Sequence, residues 1–478
     1  MILLIQVAPL AAIVALLASG RADPLRAVAV ALVLAIPAAA VSVPEGVRLA
    51  PLLAAEAARG AFLALQPIAV TFAGLLFHGA VSARPRDLDA DGAATHARLF
   101  TVCLLLGPFF ETVTGFGVGA VFALGDLHAL GIGGPAGAAL SLLSQMLIPW
   151  GGLGPGTLLG AALAGVELRA LGAWNAALSA AWLLTLLPVF WRLAAEAGLP
   201  ATPRDRIEDA VTIAALGVLL IAANLLATVE VAGLLALGPP LVWRLRHRLA
   251  QPGAARAATP YLALSAVLLA SRLVPGAPAL LTAVGMIRPW PDLPGFALFH
   301  QPGMLLGAVG LGVLATVRGR RAILLRAGRR GARPAVLMLG YVVLARLLGG
   351  SGAAAALAGA LAAAAGAALA FTVPLLGAAG GFFAATNVGS NSILMPVVSA
   401  LALALPPAFV AAVQNFTGSA LCMVAPMRLG ATAALAADGT APGAIARRLW
   451  PTAASAVLVG WAAIAVLVTA GASGNGPA

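Results

Sequence analysis

One carboxylate, Glu111, stands inside an apolar run, in the segment Gly107-Pro-Phe-Phe-Glu-Thr-Val-Thr-Gly-Phe-Gly117. Read from the sequence it is the only carboxylate set so deep, and burying it ionised without a partner is costly. It must be neutral, paired or functional. A raised proton affinity makes it a proton carrier, whereas a hydrogen bond within its own segment makes it structural; both readings stay open. A second segment, Gly380-Gly-Phe-Phe-Ala-Ala-Thr-Asn-Val-Gly-Ser-Asn391, offers Thr386, Asn387, Ser390 and Asn391, uncharged groups suited to a carboxylate or a hydroxyl. Gly389 there lets the backbone come close. Thr112, Thr114 and Gly115 are the counterparts in the first segment. The bland alternative is that these groups satisfy backbone freed where a helix breaks.

Further polar groups sit in apolar surroundings: Gln145, Trp150 and Gly151 in one half of the chain, and Gln414, Asn415, Thr417 and Ser419 in the other. They serve either a bound substrate or helix-to-helix hydrogen bonds. Arg346 lies in a short apolar span and is read either as a bidentate partner for a substrate carboxylate or as a side chain snorkelling to the outer interface. Arg428, just after Pro426, suits an anion or a carboxylate of the protein. His78, near a span end, is read as interfacial before it is read as a proton relay. No zinc-binding His-Glu-x-x-His pair and no phosphate loop occurs, and the 5 histidines and 2 cysteines are scattered, so no enzymatic activity, metal or cofactor is expected.

The elements that position these residues follow from composition. Of the 478 residues 62% are hydrophobic and 9% charged, against roughly 25% charged in soluble domains. Runs such as Ile2 to Ser19, Ala27 to Val43, Gly60 to Ser82 and Leu298 to Val317 approach the ~20 residues that cross a bilayer core as helix. The first is read as a span and not as a cleaved leader. The net charge of +12 comes from Arg with no Lys. Those arginines gather in short loops, as the positive-inside rule requires, which points away from nucleic acid and toward a multi-pass protein of the cell (inner) membrane. The densest group, Arg318 to Arg333, faces anionic headgroups of the lipid bilayer.

If the Arg-rich loops near 21–26, 84–98, 192–206, 244–256, 318–333 and 447–448 are all cytoplasmic, even numbers of spans must separate them. The interval from Arg98 to Arg192 holds three apolar stretches, so one must enter and leave on the same side. That places a re-entrant hairpin at 99–124, followed by a broken helix at 135–166. The order recurs near the C-terminus, with a hairpin at 353–405, a broken helix at 407–435 and a final span. The expectation is an all-α integral membrane protein of about 12 transmembrane helices plus two re-entrant hairpins in two inverted-topology repeats. The first repeat covers 1–192, two linking spans cover 193–257 and the second repeat covers 258–478. Both termini are placed outside.

At these motifs the chain resembles the lactate permease family. Gly107 to Gly117 is similar to the family's Gly-x-Phe-Leu-Glu-Gly-x-x-Gly-Phe-Gly, and Ser144 to Pro155 loosely resembles its next signature. Gly380 to Asn391 and Gln414 to Pro426 resemble the signatures of its second half. The resemblance implies proton-coupled uptake of lactate, glycolate or a related monocarboxylate, with moving hairpin domains and Glu111 as the protonation site. Two departures stand out: the family's Asp falls at Asn387 and its Lys at Cys422. The expected partners are a small organic anion and a proton, with a homodimer left open. A sodium-coupled dicarboxylate carrier is the alternative within the class, and an anion channel or a non-transporting scaffold the alternative outside it.

Overall fold

The computed structural model describes residues 1–19, 23–84, 93–115, 117–249 and 254–474. Parts of three Arg-rich loops (20–22, 85–92 and 250–253) and Phe116 of the first motif lie outside the described residues. Among the described residues the regular structure is helical except for one short antiparallel pair, β1 (Met286–Ile287) with β2 (Phe296–Ala297).

The chain opens with α1 (Ile2–Ala18), α2 (Pro24–Ala40) and the long α3 (Leu49–Ser82). Asp23 starts α2 by accepting the N–H of Arg26 at 3.0 Å, with Pro24 in the first turn, where its missing N–H does no harm. Next come α4 (His96–Thr101), a π-helical turn (Val102–Leu106) and α5 (Gly107–Thr114), then α6 (Val118–Ala129). α7 (Gly134–Leu143) and α8 (Pro155–Ala164) flank a 3-10 turn at Ile148–Leu153. α9 (Leu168–Glu196), α10 (Pro203–Leu226) and α11 (Val229–Leu249) follow. α12 (Ala254–Leu273) and α13 (Ala277–Ala283) precede the strand pair, and α14 (Pro302–Leu314) and α15 (Arg320–Gly350) come after it. The last part holds α16 (Ala353–Ala365), α17 (Leu369–Ala384), α18 (Asn387–Ser399), α19 (Pro407–Cys422), α20 (Pro426–Ala436) and α21 (Pro442–Gly474).

Eight helical stretches among the described residues are long and apolar enough to cross a membrane, and up to nine if Ala258–Leu273 and Ala277–Ala283, bent by 90°, count as one. The exterior agrees with lipid. Ile207 (66% exposed), Val211 (63%) and Val218 (66%) turn outward along α10, a surface that water would not tolerate at this scale. Several expected spans come out shorter than a bilayer crossing. Leu298 to Val317 yields only the 13 residues of α14, because Pro302 starts that helix late and Ala315 ends it.

Inside, α9 is a central post. Trp182 donates from Nε1 to the carbonyl of Thr452 on α21 at 2.9 Å, and its ring meets Phe416 of α19 edge-on at 5.8 Å. α3 lies along α14 and α15 through glycines: a Cβ on Gly60 would sit 2.8 Å from Val343 Cα, and one on Gly303 would sit 2.7 Å from the Val70 nitrogen. Such close backbone approach is the packing expected where lipid provides no hydrophobic drive between helices.

Candidate functional site

The first motif folds as a helical hairpin. Pro108 has no N–H to give, and the π-helical turn ahead of it absorbs the missing bond, so the helix runs on to Thr114. The break therefore falls at Gly115–Gly117, at the end of the motif and not at its centre. Gly115 holds φ +70° and ψ −167°, a conformation open to glycine alone, and Gly117 holds φ +82°. The chain then returns as α6, so close to the outgoing limb that a Cβ on Gly119 would run into the carbonyl of Gly107.

Glu111 closes this hairpin. Its Oε1 accepts the N–H of Gly117 at 3.1 Å and its Oε2 accepts that of Gly119 at 3.2 Å, so one carboxylate caps the free N-terminus of α6 from the opposite limb. The side chain is buried, 2% exposed, and among the described residues no cation lies within ion-pair distance. Gly151 of the first helix break faces it, where a Cβ would stand 3.5 Å from Oε1. Thr112 is buried with an unpartnered hydroxyl, whereas Thr114 returns its hydroxyl to the Phe110 carbonyl at 2.6 Å. Trp150 turns away from the hairpin and donates to Asn224 of α10 at 3.4 Å.

The second motif also turns back on itself. Ala385 takes φ +57°, and Thr386 starts α18 by accepting the N–H of Gly389 at 3.0 Å. Here the structure gathers a cluster of buried amides. Asn387 donates to Asn415 Oδ1 at 3.0 Å, and Asn391 donates to the same oxygen at 2.7 Å and to the Gly156 carbonyl at 2.9 Å. Asn415 in turn donates to Thr157 at 3.2 Å and to Asn175 at 3.0 Å. The second hairpin tip is thereby seated on α8, α9 and α19. Several polar atoms around it lack a protein partner: Asn175 Nδ2, Asn391 Oδ1, Ser390 Oγ, Gln145 Nε2 and both side-chain heteroatoms of Gln414.

Thr157 and Asn175 belong to this cluster and were missed by the sequence reading. An Asn inside an apolar span is a detectable signal, but nothing in the sequence says that Asn175 faces Asn415. The second broken helix is interrupted beside Pro426, as the sequence indicates. Gln414, Asn415, Thr417 and Ser419 lie inside α19, and the interruption follows at Met423 to Ala425. Thr417 bonds its own helix, at the Val413 carbonyl 2.8 Å away.

The two arginines separate. Arg346 is held by Glu56 through Nε at 2.8 Å and Nη2 at 2.7 Å, and Glu56 also receives Arg59 at 3.1 Å. It is committed to a protein carboxylate, which corrects its reading as an anion partner. Glu56, 4% exposed, is also a second deeply buried carboxylate beside Glu111, and Asp209, 1% exposed, is a third. Asp209 ties His96 at 2.8 Å, Trp191 at 3.0 Å and Arg244 at 3.4 Å. Arg428 sits at the second hairpin tip instead: its Nε donates to the Ala385 carbonyl at 2.8 Å and its Nη1 to Gln145 of the first helix break. Among the described residues no carboxylate forms an ion pair with it.

Cys422 is buried and offers its thiol to the Gly418 carbonyl at 3.2 Å. No protein-family model and no curated protein matches this chain.

Proposed function

We propose that this protein is a secondary active transporter of the inner membrane that takes up a small organic anion, lactate, glycolate or a related monocarboxylate, together with a proton. The observation that carries the reading is the pair of helical hairpins whose tips meet one continuous stretch of chain: Gly115 lies against Gly152 of the first helix break, and Asn387, next to Ala385 and Thr386, lies against Gly156 and Thr157 at the start of α8. Two tips brought to one place from separate parts of the chain suit a mid-membrane site reachable from either side, and with it the arrangement of about 12 spans in inverted repeats.

The chemistry follows from the residues. Arg428 supplies a positive charge that, among the described residues, has no carboxylate in an ion pair with it, and the unpartnered donors of Asn175 and Gln145 suit the oxygens of a carboxylate and a neighbouring hydroxyl. Glu111 in its ionised form accepts two N–H groups. A proton on the carboxyl removes its charge, weakening both bonds, and adds an O–H donor that must find its own acceptor, so proton binding and tip closure are coupled. Thr112, Gly115, Gly151, Thr386, Asn387, Gly389, Ser390, Asn391, Gln414 and Asn415 shape the walls around these groups. Trp150, Thr114 and Thr417 support the helices behind them.

A second reading has its own observation. The side-chain oxygens of Asn387, Asn391, Asn415 and Thr157 gather with the Gly156 carbonyl, with Asn391 Oδ1 left without a partner, and a sodium ion replacing the amide donors among them would find uncharged oxygen ligands and favour a dicarboxylate. Uptake of labelled lactate into proteoliposomes, driven by a proton gradient or by a sodium gradient and challenged with short hydroxy acids and dicarboxylates, separates the two. Proton-driven uptake inhibited by glycolate supports the first reading. Sodium-driven uptake inhibited by dicarboxylates replaces it with the second, and flux indifferent to both gradients removes the symporter.

A further inference from the structure

Away from the hairpins, α3 and α15 part at their Arg-rich end around a small cavity of about 50 Å³ lined by Leu75, His78, Gly79, Ile323, Arg326, Ala327 and Arg330. Arg326 and Arg330 are spaced by four residues and share one face of α15, the geometry that brings two guanidinium groups to one anion. Within the surrounding cluster, among the described residues, Arg333 has an ion pair, to Asp23 at 3.4 Å, while Arg326 and Arg330 have none. The lining is apolar beside these arginines, with Leu75 of α3 across the cavity and Ile323 one turn before Arg326 on α15. α15 has 31 residues, so it is about 46 Å long and its basic turns extend past a bilayer core of ~30 Å into the headgroup layer.

From the cation pair, the apolar wall and this depth we infer a binding site for the phosphate of an anionic phospholipid, the headgroup held by Arg326 and Arg330 and an acyl chain lying along Leu75 and Ile323. A free phosphate ion shares the headgroup chemistry but has no use for the apolar wall. Occupancy would brace α3 against α15, the two helices that bear the Glu56–Arg346 pair at their other ends.

The test is native mass spectrometry of the purified full chain in detergent, titrated separately with phosphatidylglycerol, phosphatidylcholine and inorganic phosphate. Phosphatidylglycerol should bind in preference to phosphatidylcholine. The double variant Arg326→Gln/Arg330→Gln should bind it roughly 30-fold more weakly, as expected for two basic contacts. Arg329→Gln, outside the cavity, should match the wild type, and Arg326→Lys/Arg330→Lys should retain preference for the anionic lipid even if Gln variants fold poorly. Equal binding of phosphatidylcholine, or an equal loss in Arg329→Gln, would overturn the site in favour of a diffuse basic surface. Saturable binding of inorganic phosphate that displaces phosphatidylglycerol would reassign it to a soluble anion.

Discussion

At the scale of single residues, the two roles that the sequence offers for Glu111 fall on one geometry. The carboxylate that would carry the proton is the same group that caps α6, so its protonation state and the shape of the hairpin tip are linked. Glu111→Gln keeps one acceptor and places an amide donor against the other N–H, with an expected stability loss of about 2 kcal/mol. Uptake by this variant should fall and lose its dependence on the proton gradient, measured as initial rate against external pH in proteoliposomes. A variant that transports with the wild-type pH profile would leave Glu111 as a cap and nothing more. The residue scale is also where the sequence was least readable. Glu111 and the polar run at 386–391 were visible because each interrupts an apolar stretch, but Asn175 and Thr157 join the amide cluster only through tertiary contact. Arg346 looked available because its partner, Glu56, lies 290 residues earlier.

At the scale of elements, the positions of Gly and Pro announced that the chain would break near 107–117 and 380–391, and it does. The location of the first break was harder to read, since a π-helical turn carries that helix past Pro108. The hairpin limbs themselves offer a matched pair of substitutions on α6. A methyl on Gly119 meets the Gly107 carbonyl and the Glu111 side chain, whereas one on Gly125 meets nothing within 4 Å. Gly119→Ala should therefore splay the limbs and abolish uptake. Gly125→Ala should transport normally and melt slightly higher, since Ala is favoured over Gly in a helix by about 0.5–1 kcal/mol. Uptake and thermal unfolding on the same preparations check both. The other end of this region is tied by Asp438, which accepts the N–H of Gly134 at the start of α7 at 2.6 Å. Its hydrogen bonds to Thr440 and Gly134 hold the carboxyl below its ordinary value of 3.8. The stabilisation is complete above that value and is lost as pH falls through the lower, folded one. Unfolding followed from about pH 6 down to about pH 3 should show Asp438→Asn with a shallower acid limb than the wild type.

At the scale of the whole molecule, an anion site reachable from both sides requires one part of the protein to move against another, and the packing suggests where. α3, α14 and α15 hold together through glycine contacts and the Glu56–Arg346 pair. The hairpins, α7 to α9 and α19 make a second mass around the amide cluster. The seam between the two joins an apolar patch, where Val113 and Phe109 of the first hairpin pack with Phe77 of α3, to bare backbone contact: a Cβ on Gly74 of α3 would fall 2.5 Å from the Thr114 carbonyl, and one on Gly152 of the helix break would fall 3.2 Å from Val70. Backbones that close slide past each other by small shear steps, and a single added methyl obstructs the slide without touching the amide cluster or Arg428. Gly74→Ala should leave equilibrium binding of the anion to detergent-solubilised protein unchanged while slowing net uptake, since the variant alters the passage between states and not the site. Binding and initial rates measured side by side decide it. If affinity falls in step with rate, Gly74 supports the site itself and the moving boundary lies elsewhere in the fold.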